Sequence, residues 1–568
     1  PDTELLPWNA QFAPVDLPHD WQIRHADDLY RDGTLFYRKY FFVTDVPGTR
    51  RMLWFGGAYM DTTVFVNGTE VGQWKYGYTS FWFDITDALH EGQNEVLVRC
   101  NLRHPNSRWY SGAGLYRNVE LWEAPDLHLM PDGLYVAAKE GDNGAWTVTV
   151  TAEAGSVTAA STGRTLTLHL TDDNGSLLGT AAIPADAWAA LPSPDGWRTG
   201  KETAIYKASH TFTLQDPALW DLDAPSFYHI TAELTGADGV TDTLTTRFGC
   251  RTIEATPDCG LLVNHKRVLI KGVCIHHDFG CLGSAFEYSA AKRQLEILKS
   301  MGVNSIRTGH TPPAPQFMDL ADEMGILMDV ESFDCWRSGK NPYDYGRFFD
   351  EWQEKDVAAW IRRDRNHPSL LFWCIGNEIY DTHAGPEGAD TMRMLLAEVA
   401  AHDPARNGIP TLGSNYMPWE NTQHCADIIK VAGYNYGERL YASHHEKHPD
   451  WVIYGSETSS IVQSRGIYHF PLSQSLLSDD DLQCSSLGNS RTSWGAESWD
   501  VCLQSEQRWP FTLGQYLWTG WDYIGEPTPY HTRSSYFGTI DTAGFPKDAY
   551  YVVQAAWLDP KTHPMVHL

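Results

Sequence analysis

The feature that most constrains the fold of this chain is an alternation of strand-like and helix-like stretches that runs from about residue 256 to the C-terminus. The fourth strand-like run is apolar until it stops on an amide and a carboxylate, Asn377 and Glu378. Such runs indicate strands buried on both faces, as in parallel sheets covered by helices. The predicted strands are residues 268–277, 305–310, 326–331, 370–378, 410–415, 428–436, 451–457 and 511–521. Eight strands alternating with helices over about 310 residues predict a (β/α)8 TIM barrel.

Two all-β segments precede the predicted barrel. In the first, Asn67 and Gly68 stand between two alternating runs, which predicts a tight hairpin turn because both positions need positive φ. The second repeats the pattern without helical periodicity, which is typical of an immunoglobulin-like β-sandwich. We therefore predict a multidomain chain with a β-sandwich at residues 1–123, an immunoglobulin-like β-sandwich at 124–255 and the barrel at 256–568.

Charge and composition argue against several classes of partner. Lys and Arg total 43 against 72 for Asp and Glu, a net charge of -29 without any basic run, so we expect no nucleic-acid partner. No stretch approaches about 18 consecutive apolar residues, so no membrane span is predicted. Ten cysteines without paired spacing indicate free thiols, and no signal-peptide pattern is visible, so we expect a cytoplasmic protein. Association with further copies of the chain is left open.

Polar residues at the ends of the predicted barrel strands are candidate functional residues, because barrel active sites lie at those ends. They are His276, His277, Arg307, His310, Glu331, Asp334, Asn377, Glu378, Tyr434, Tyr436, Glu457, Trp518, Trp521 and Asp522. Glu378 and Glu457 should face each other across the barrel mouth. Glycoside hydrolysis requires two such carboxylates, one to protonate the leaving oxygen and one to attack the anomeric carbon. Arg307, Asn377 and the histidines would bind hydroxyls, and Trp518 or Trp521 would stack on the sugar.

The sequence also resembles a known family over essentially its full length. The resemblance rests on Asp-Leu-Pro-His-Asp-Trp at 16–21, Ser-Arg-Trp-Tyr-Ser-Gly-Ala-Gly-Leu-Tyr-Arg at 107–117, Arg-Thr-Gly-His at 307–310, Arg-Asp-Arg-Asn-His-Pro-Ser at 363–369 and Ile-Gly-Asn-Glu at 375–378. These are similar to motifs of glycoside hydrolase family two, the group of β-galactosidases, β-glucuronidases and β-mannosidases. The resemblance implies a jelly-roll sugar-binding domain, an immunoglobulin-like domain and a catalytic barrel, in that order.

The resemblance further implies roles for individual residues. Glu378 matches the acid/base and Glu457 the nucleophile of a retaining, exo-acting hydrolase. The positions that match the donor-sugar subsite are His276, Arg307, His310, Asn377, Tyr436 and Trp518. Asn106 and Arg108 are expected to reach the same pocket from the first domain, and Asp334 is expected to bind a sugar hydroxyl.

The chain departs from the family after the third barrel strand. The galactosidase pattern there ends in Glu-x-His and binds magnesium beside the acid/base, whereas in this chain Glu331 is followed by Ser and Phe. We therefore expect no obligatory cofactor, neither Mg²⁺ nor Na⁺. About fifty residues, 461–508, separate the last two strands and include Trp494 and Trp499. A loop of that length usually shapes a binding cleft.

Three functions remain as alternatives. The first is a retaining exo-acting β-galactosidase that releases terminal β-D-galactose through a covalent glycosyl-enzyme intermediate. The second is a β-glucuronidase or β-galacturonidase, which Lys340 would favour if it reached a carboxylate at C6. Family glucuronidases carry an Asn-x-Lys pair that residues 534–548 lack; this segment looks instead like gut-bacterial β-galactosidase-type members. The third is a non-catalytic carbohydrate-binding protein, although a binder has no need of two carboxylates that repel each other.

Overall fold

The computed structural model describes residues 6, 10–25, 27–44, 48–158, 163–191, 200–236, 239–471, 483–486, 496–530, 532 and 534–567. Trp494 lies outside the described residues, whereas Trp499 is buried at the start of a helix. Within the described part, the chain forms a β-rich N-terminal region followed by a closed barrel of eight parallel strands. The predicted fold class is therefore confirmed, while the domain boundaries after residues 123 and 255 stay predictions.

Seven strands form two facing antiparallel sheets at the N-terminal end. Their bounds are β1 Gly33–Val43, β2 Thr49–Phe55, β3 Thr62–Val66, β4 Thr69–Trp74, β5 Phe81–Asp84, β6 Gly92–Leu102 and β7 Val119–Pro125. The sheet orders are β1-β6-β3-β4 and β5-β2-β7. Asn67 and Gly68 connect β3 to β4 with φ of 50° and 80°, so the predicted hairpin turn is confirmed. Apolar side chains of both sheets, such as Val64 and Phe55, share one core.

The next eleven strands are likewise antiparallel. Their bounds are β8 Leu127–Glu140, β9 Ala145–Ser156, β10 Thr165–Asp172, β11 Leu177–Pro184, β12 Ala189–Ala190, β13 Ala204–Gln215, β14 Tyr228–Gly236, β15 Gly239–Phe248, β16 Ile253–Thr256, β17 Gly260–Val263 and β18 Lys266–Val268. Two four-stranded sheets, β11-β10-β14-β15 and β12-β13-β9-β8, enclose an apolar core, and β16–β18 form a small third sheet. Alternate residues are buried from Leu166 to Leu170 in β10 and from Tyr228 to Leu234 in β14, as expected for strands with one face on a core.

Eight parallel strands close the barrel, and β26 pairs with β19 to complete it. Their bounds are β19 Ile270–Ile275, β20 Ser305–Thr308, β21 Leu327–Glu331, β22 Leu370–Asn377, β23 Ile409–Ser414, β24 Val431–Asn435, β25 Val452–Ser459 and β26 Gly514–Trp518. Each lies within a few residues of a predicted strand, and every residue of β22 is buried. A short pair, β27 Tyr523–Ile524 and β28 Ser534–Ser535, follows β26.

Helices connect the barrel strands and cover their outer faces. Their bounds are α1 Tyr288–Ser300, α2 Pro315–Met324, α3 Phe349–Asp364, α4 Asp381–Ala384, α5 Glu387–His402, α6 Glu420–Ile429, α7 Tyr441–Lys447, α8 Trp499–Arg508 and α9 Asp548–Trp557. In α1, Ala291, Leu295 and Leu298 are buried on one face, as the helical period predicts. Among the described residues, no helix combines the length and apolar character needed to cross a bilayer.

A long loop between β6 and β7, residues 103–118, extends from the first sandwich to the C-terminal end of the barrel. Asp20 fastens this loop, because its buried carboxylate accepts hydrogen bonds from the Ala113 N–H at 3.1 Å and from the Ser284 N–H of the barrel at 2.9 Å. The Tyr110 N–H donates to the carbonyl of Ile524, which follows β26, at 3.0 Å. The first sandwich therefore supplies side chains to the C-terminal end of the barrel.

Candidate active site

Glu378 and Glu457 lie at the C-terminal ends of β22 and β25. Glu378 directly follows its strand with a φ of 46°, and its N–H donates to the Gly413 carbonyl of the neighbouring strand at 2.8 Å. A non-glycine residue in this backbone region costs about 1 kcal/mol or more and persists where surrounding contacts hold it, which happens most often at functional sites. The backbone of Glu378 is thus fixed at the rim of the barrel.

A chain of hydrogen bonds connects the two carboxylates. Arg307 donates from Nη1 to Glu457 Oε1 at 2.8 Å and from Nη2 to Asn377 Oδ1 at 2.9 Å. The Nδ2 of Asn435 donates to Asn377 Oδ1 at 3.0 Å and to Glu378 Oε1 at 3.1 Å. The structure therefore brings four of the predicted site residues together. Asn435, which the sequence reasoning missed, completes the chain from the last position of β24.

Glu457 is held at both carboxylate oxygens. Arg307 occupies Oε1, and the Tyr436 hydroxyl donates to Oε2 at 2.8 Å. Burial raises the pKa of Glu457 to about 7; the Glu378 carboxylate adds to the rise, and Arg307 and Tyr436 oppose it. Both of these donors stabilise the ionised form, because a carboxylate accepts stronger hydrogen bonds than its neutral acid.

Glu331, at the end of β21, competes with Glu457 for the same cation. The Nη2 of Arg307 donates to Glu331 Oε1, and Nδ1 of His310 lies 2.7 Å from Glu331 Oε2. Glu331 is completely buried, and burial raises its pKa to about 8. When Glu331 is protonated near neutral pH, it carries no negative charge, and the ion pair of Arg307 is then with Glu457. Sequence reasoning included Glu331 among the strand-end residues without assigning it a role.

His276, His310 and Trp518 form an aromatic wall. The His310 ring stacks on Trp518 with centroids 5.3 Å apart and planes 3° apart, and the His276 ring lies 4.2 Å from Tyr523 and 5.2 Å from Trp109. Neither ring nitrogen of His276 meets a well-oriented hydrogen-bond partner among the described residues. Burial lowers the pKa of both histidines well below the usual value. Both are neutral and suited to bind an uncharged hydroxyl.

Asp334 forms ion pairs with both Arg108 and Lys340 at the mouth of the pocket. Its Oδ1 accepts hydrogen bonds from Lys340 Nζ at 2.7 Å, Arg108 Nη2 at 3.0 Å and Asn377 Nδ2 at 3.1 Å. Burial alone would raise the pKa of Asp334, but Arg108 and Lys340 outweigh it and hold that pKa below its usual value. Arg108 also places Nη1 3.7 Å from Glu378 Oε2, so the first sandwich does reach the pocket, as expected.

Asn106 lies beside the pocket, and its polar atoms make hydrogen bonds that hold the loop containing it. Its Oδ1 accepts hydrogen bonds from the Tyr59 hydroxyl at 3.0 Å and from Ser111 Oγ at 3.1 Å, and its Nδ2 donates to a backbone carbonyl of the same loop at 2.7 Å. It lines a small cavity together with His310 and Asp334. Asn106 therefore lies next to two predicted site residues, where its hydrogen bonds stabilise the loop.

Three strand-end residues have other partners. His277 Nε2 lies 3.1 Å from a backbone carbonyl of the first sandwich, Tyr434 bonds His444 at 2.9 Å, and Asp522 pairs with Lys547 at 2.7 Å. Tyr434 and Asp522 are buried and His277 is partly buried, so these contacts satisfy polar groups inside the protein.

Glu526, on the loop after β27, was missed by the sequence reasoning. The Tyr523 hydroxyl donates to its Oε2 at 2.6 Å, and its Oε1 lies 4.0 Å from Arg108 Nη1. Glu526 comes eight residues after the end of β26, in a Gly-Glu-Pro stretch that has the composition of an ordinary turn. No sequence signal at a strand end marks it, because its position depends on how the loop folds back over the barrel mouth.

Glu331 stands where the family's magnesium pattern begins. Its two oxygens contact Arg307 and His310, so a metal at this position would have to share or displace these partners. In the part of the chain that the structure describes, one trio of possible ligands lies close together, and it sits at the opposite end of the barrel: Asp319, Asp322 and His367.

Comparisons with known proteins identify the family of the chain. Residues 255–445 match the model described as the TIM barrel domain of glycosyl hydrolases family 2, and residues 132–251 match a second model of glycosyl hydrolases family 2. Beta-galactosidase BoGH2A of Bacteroides ovatus is 35% identical over 96% of this chain and 68% of its own length. A protein of Formosa agariphila named a putative beta-glucuronidase is 29% identical over 99% of this chain and 54% of its own length.

Solved structures share the architecture as well. A structure described as a beta-glycosidase from Bacteroides vulgatus superposes with a TM-score of 0.82 at 29% identity, covering 96% of this chain and 71% of that chain. The present chain therefore spans only part of the length of these relatives. The two family models together match more than half of the 568 residues, and the similarity to the Bacteroides ovatus protein extends over nearly all of them. The chain belongs to family 2 of the glycosyl hydrolases.

Proposed function

We propose that this chain is a retaining, exo-acting β-galactosidase, with Glu457 as nucleophile and Glu378 as acid/base. The observation that supports this most is the unequal setting of the two carboxylates. Glu457 is bound by a guanidinium and a hydroxyl, whereas Glu378 takes one amide hydrogen bond and is more exposed to the pocket. The first setting favours an ionised nucleophile, and the second allows proton exchange.

The proposed reaction has two displacements. The Glu457 carboxylate forms an ester bond to the anomeric carbon while the glycosidic bond breaks, and Glu378 gives its proton to the leaving oxygen. Water then loses a proton to Glu378, attacks the same carbon and releases Glu457. Each displacement inverts the carbon, so the product keeps the β configuration. The neutral rings of His276, His310 and Trp518 offer hydroxyl partners and a stacking face for the sugar.

The charges at the pocket mouth support a neutral sugar. Arg108 and Lys340 both donate to Asp334, and Glu526 lies beside Arg108, so within the described pocket these cations are already paired. A buried uronate carboxylate needs a cation or several donors to offset its desolvation, and it would have to take one from Asp334. A galactose hydroxymethyl group makes no such demand.

A β-glucuronidase or β-galacturonidase is the second candidate, because the same mouth contains two cations. If Lys340 turned from Asp334 to a carboxylate at C6, the site would accept a uronide. The similarity to the putative beta-glucuronidase of Formosa agariphila supports this second candidate. The two glutamates would keep their proposed roles in either case.

The first prediction concerns the two roles. Glu457→Ala should reduce turnover of nitrophenyl β-galactoside to background. Glu378→Ala should lose about 10²–10⁴-fold in kcat with poor leaving groups, because general acid catalysis contributes about that much, and much less with dinitrophenolate, which needs no proton. Steady-state kinetics with a leaving-group series measure both effects. Glu296→Ala, which removes an exposed carboxylate from α1, is the control and should leave these constants unchanged.

Added azide makes the assignment decisive. In Glu457→Ala, azide can enter from the vacated side and should give the α-galactosyl azide, whereas in Glu378→Ala it should attack the glycosyl-enzyme and give the β-azide. Proton NMR reads the configuration directly. The reverse pattern, or wild-type hydrolysis that first releases α-galactose, would contradict the roles.

The second prediction concerns pH. Activity requires ionised Glu457, and its pKa is raised to about 7 by burial, so kcat/KM of the free enzyme should fall as the pH drops below about 7. Tyr436→Phe removes a hydrogen bond to the carboxylate and should move this acidic limb upward by about one pH unit. Tyr434→Phe is the matched control, since its hydroxyl bonds His444 instead. An unmoved limb in Tyr436→Phe would separate that limb from Glu457.

The third prediction is the glycone. We expect kcat/KM for nitrophenyl β-galactoside to exceed that for the β-mannoside. It should exceed that for the β-glucuronide and β-galacturonide by about a hundredfold or more, because a pocket whose described cations are already paired rejects a buried carboxylate strongly. Lys340→Ala should leave this order unchanged. A preference for a uronide that disappears in Lys340→Ala would replace the galactosidase proposal with the second candidate.

The fourth prediction is that no metal is obligatory. Dialysis against a strong chelator should leave most of the activity, because the oxygens of Glu331 are occupied by Arg307 and His310. Activity is measured before and after addition of Mg²⁺ or Na⁺. Loss of most activity with restoration by Mg²⁺ would show that a metal binds the site in spite of these contacts.

A further inference from the structure

Four ring side chains form a partly exposed cluster next to Glu378: Tyr380, His383, Tyr416 and Trp419. Tyr380 and Trp419 are 40% and 56% exposed, which is unusual for such large apolar surfaces in one patch. The His383 ring stacks on Tyr416 with centroids 3.9 Å apart and lies 5.5 Å from Trp419. The Tyr380 and Tyr416 rings are 6.2 Å apart, so all four belong to one surface.

The barrel register places this cluster on the acid/base side of the pocket. Tyr380 comes two residues after Glu378, and Tyr416 comes two residues after the end of β23, the strand that receives the Glu378 N–H at Gly413. Burial raises the pKa of Tyr416 to about 12, and the nearby Glu378 carboxylate contributes to that rise. Glu457, on β25, is two strands further round the barrel.

We propose that these four residues form a leaving-group platform that binds the reducing-side sugar of a β-galactosyl oligosaccharide. The inference rests on the proposed function, because an acid/base protonates the leaving oxygen and the leaving group therefore lies on its side of the pocket. The flat faces of Tyr380 and Trp419 can stack against the C–H face of a pyranose.

Polar groups within the platform favour a sugar over a purely aromatic leaving group. Tyr380 and Tyr416 carry hydroxyls, which can exchange hydrogen bonds with the hydroxyls of a sugar. A pyranose offers both an apolar face and hydroxyls, so it matches a surface that combines ring faces with tyrosine hydroxyls. A nitrophenyl group would use the ring faces alone.

The same platform should bind the acceptor in glycosyl transfer. An acceptor hydroxyl gives its proton to the Glu378 carboxylate, its oxygen bonds to the anomeric carbon, and the ester bond to Glu457 breaks. This step is the reverse of the first displacement, so a sugar acceptor has to occupy the position of the sugar leaving group.

The test compares two substrates in Trp419→Ala, with Trp419→Phe as the conservative variant. One substrate is the β-galactosyl-(1→4)-glucose disaccharide, and the other is β-galactosyl fluoride, whose leaving group has no ring. The ratio of kcat/KM for the disaccharide over the fluoride should drop about five- to tenfold in Trp419→Ala and recover in Trp419→Phe, as expected for one lost stacking contact. Phe42→Ala, which removes an 80% exposed ring from β1, should leave the ratio unchanged.

A second readout is the ratio of transfer to hydrolysis with glucose as acceptor, which should fall in parallel. An unchanged substrate ratio in Trp419→Ala would overturn the platform, and a loss confined to nitrophenyl substrates would overturn its sugar specificity. The sugar at the non-reducing end of both test substrates is chosen first, as the sugar of the nitrophenyl glycoside that the wild-type chain cleaves fastest. Failure of the galactoside assignment therefore appears in that first panel, separately from the result for Trp419.

Discussion

The buried positive charge of Arg307 is the constraint on which the rest of the site depends. The side chain is inaccessible to solvent and is surrounded by Glu331, Glu457 and Asp329, whose Oδ2 lies 3.9 Å from Nε. Moving one ion out of water costs several kcal/mol, so a guanidinium at this position needs an ionised partner, and Glu457 in turn needs the guanidinium. Because Glu457 comes from β25, which is not adjacent to the strand of Arg307, this ion pair forms only when the barrel closes.

This charge balance determines which groups of the pocket are charged and which are neutral. Burial favours a proton on Glu331 and keeps His276 and His310 neutral, so the charge of Arg307 is directed at Glu457. At the mouth, Asp334 neutralises the cations in the same way. The result is a pocket whose lining groups are mostly uncharged donors, acceptors and rings, with charge concentrated at the two carboxylates proposed to react and at the cations around Asp334.

The barrel was predictable because its signals are local. A strand buried on both faces is an unbroken apolar run, and the polar residue at its end, such as Glu378 or Tyr436, falls at the active face by the geometry of the fold alone. The remaining features depend on contacts between distant segments. His276 and His277 are adjacent, yet they enter different surroundings, and sequence does not say which one faces the pocket. Glu526 depends on the path of a whole loop.

The clamp made by Asp20 has a consequence for biosynthesis. It joins residues 264 positions apart, Asp20 and Ser284, and the loop that it fastens also bonds Ile524 beyond the last barrel strand. The ribosome makes the chain from its N-terminus, so Trp109 and Arg108 emerge long before the segments that bury and neutralise them. During that interval the loop lacks the barrel contacts that bury the Trp109 ring and pair the Arg108 guanidinium, so it can reach its final conformation only after the barrel segments have been made.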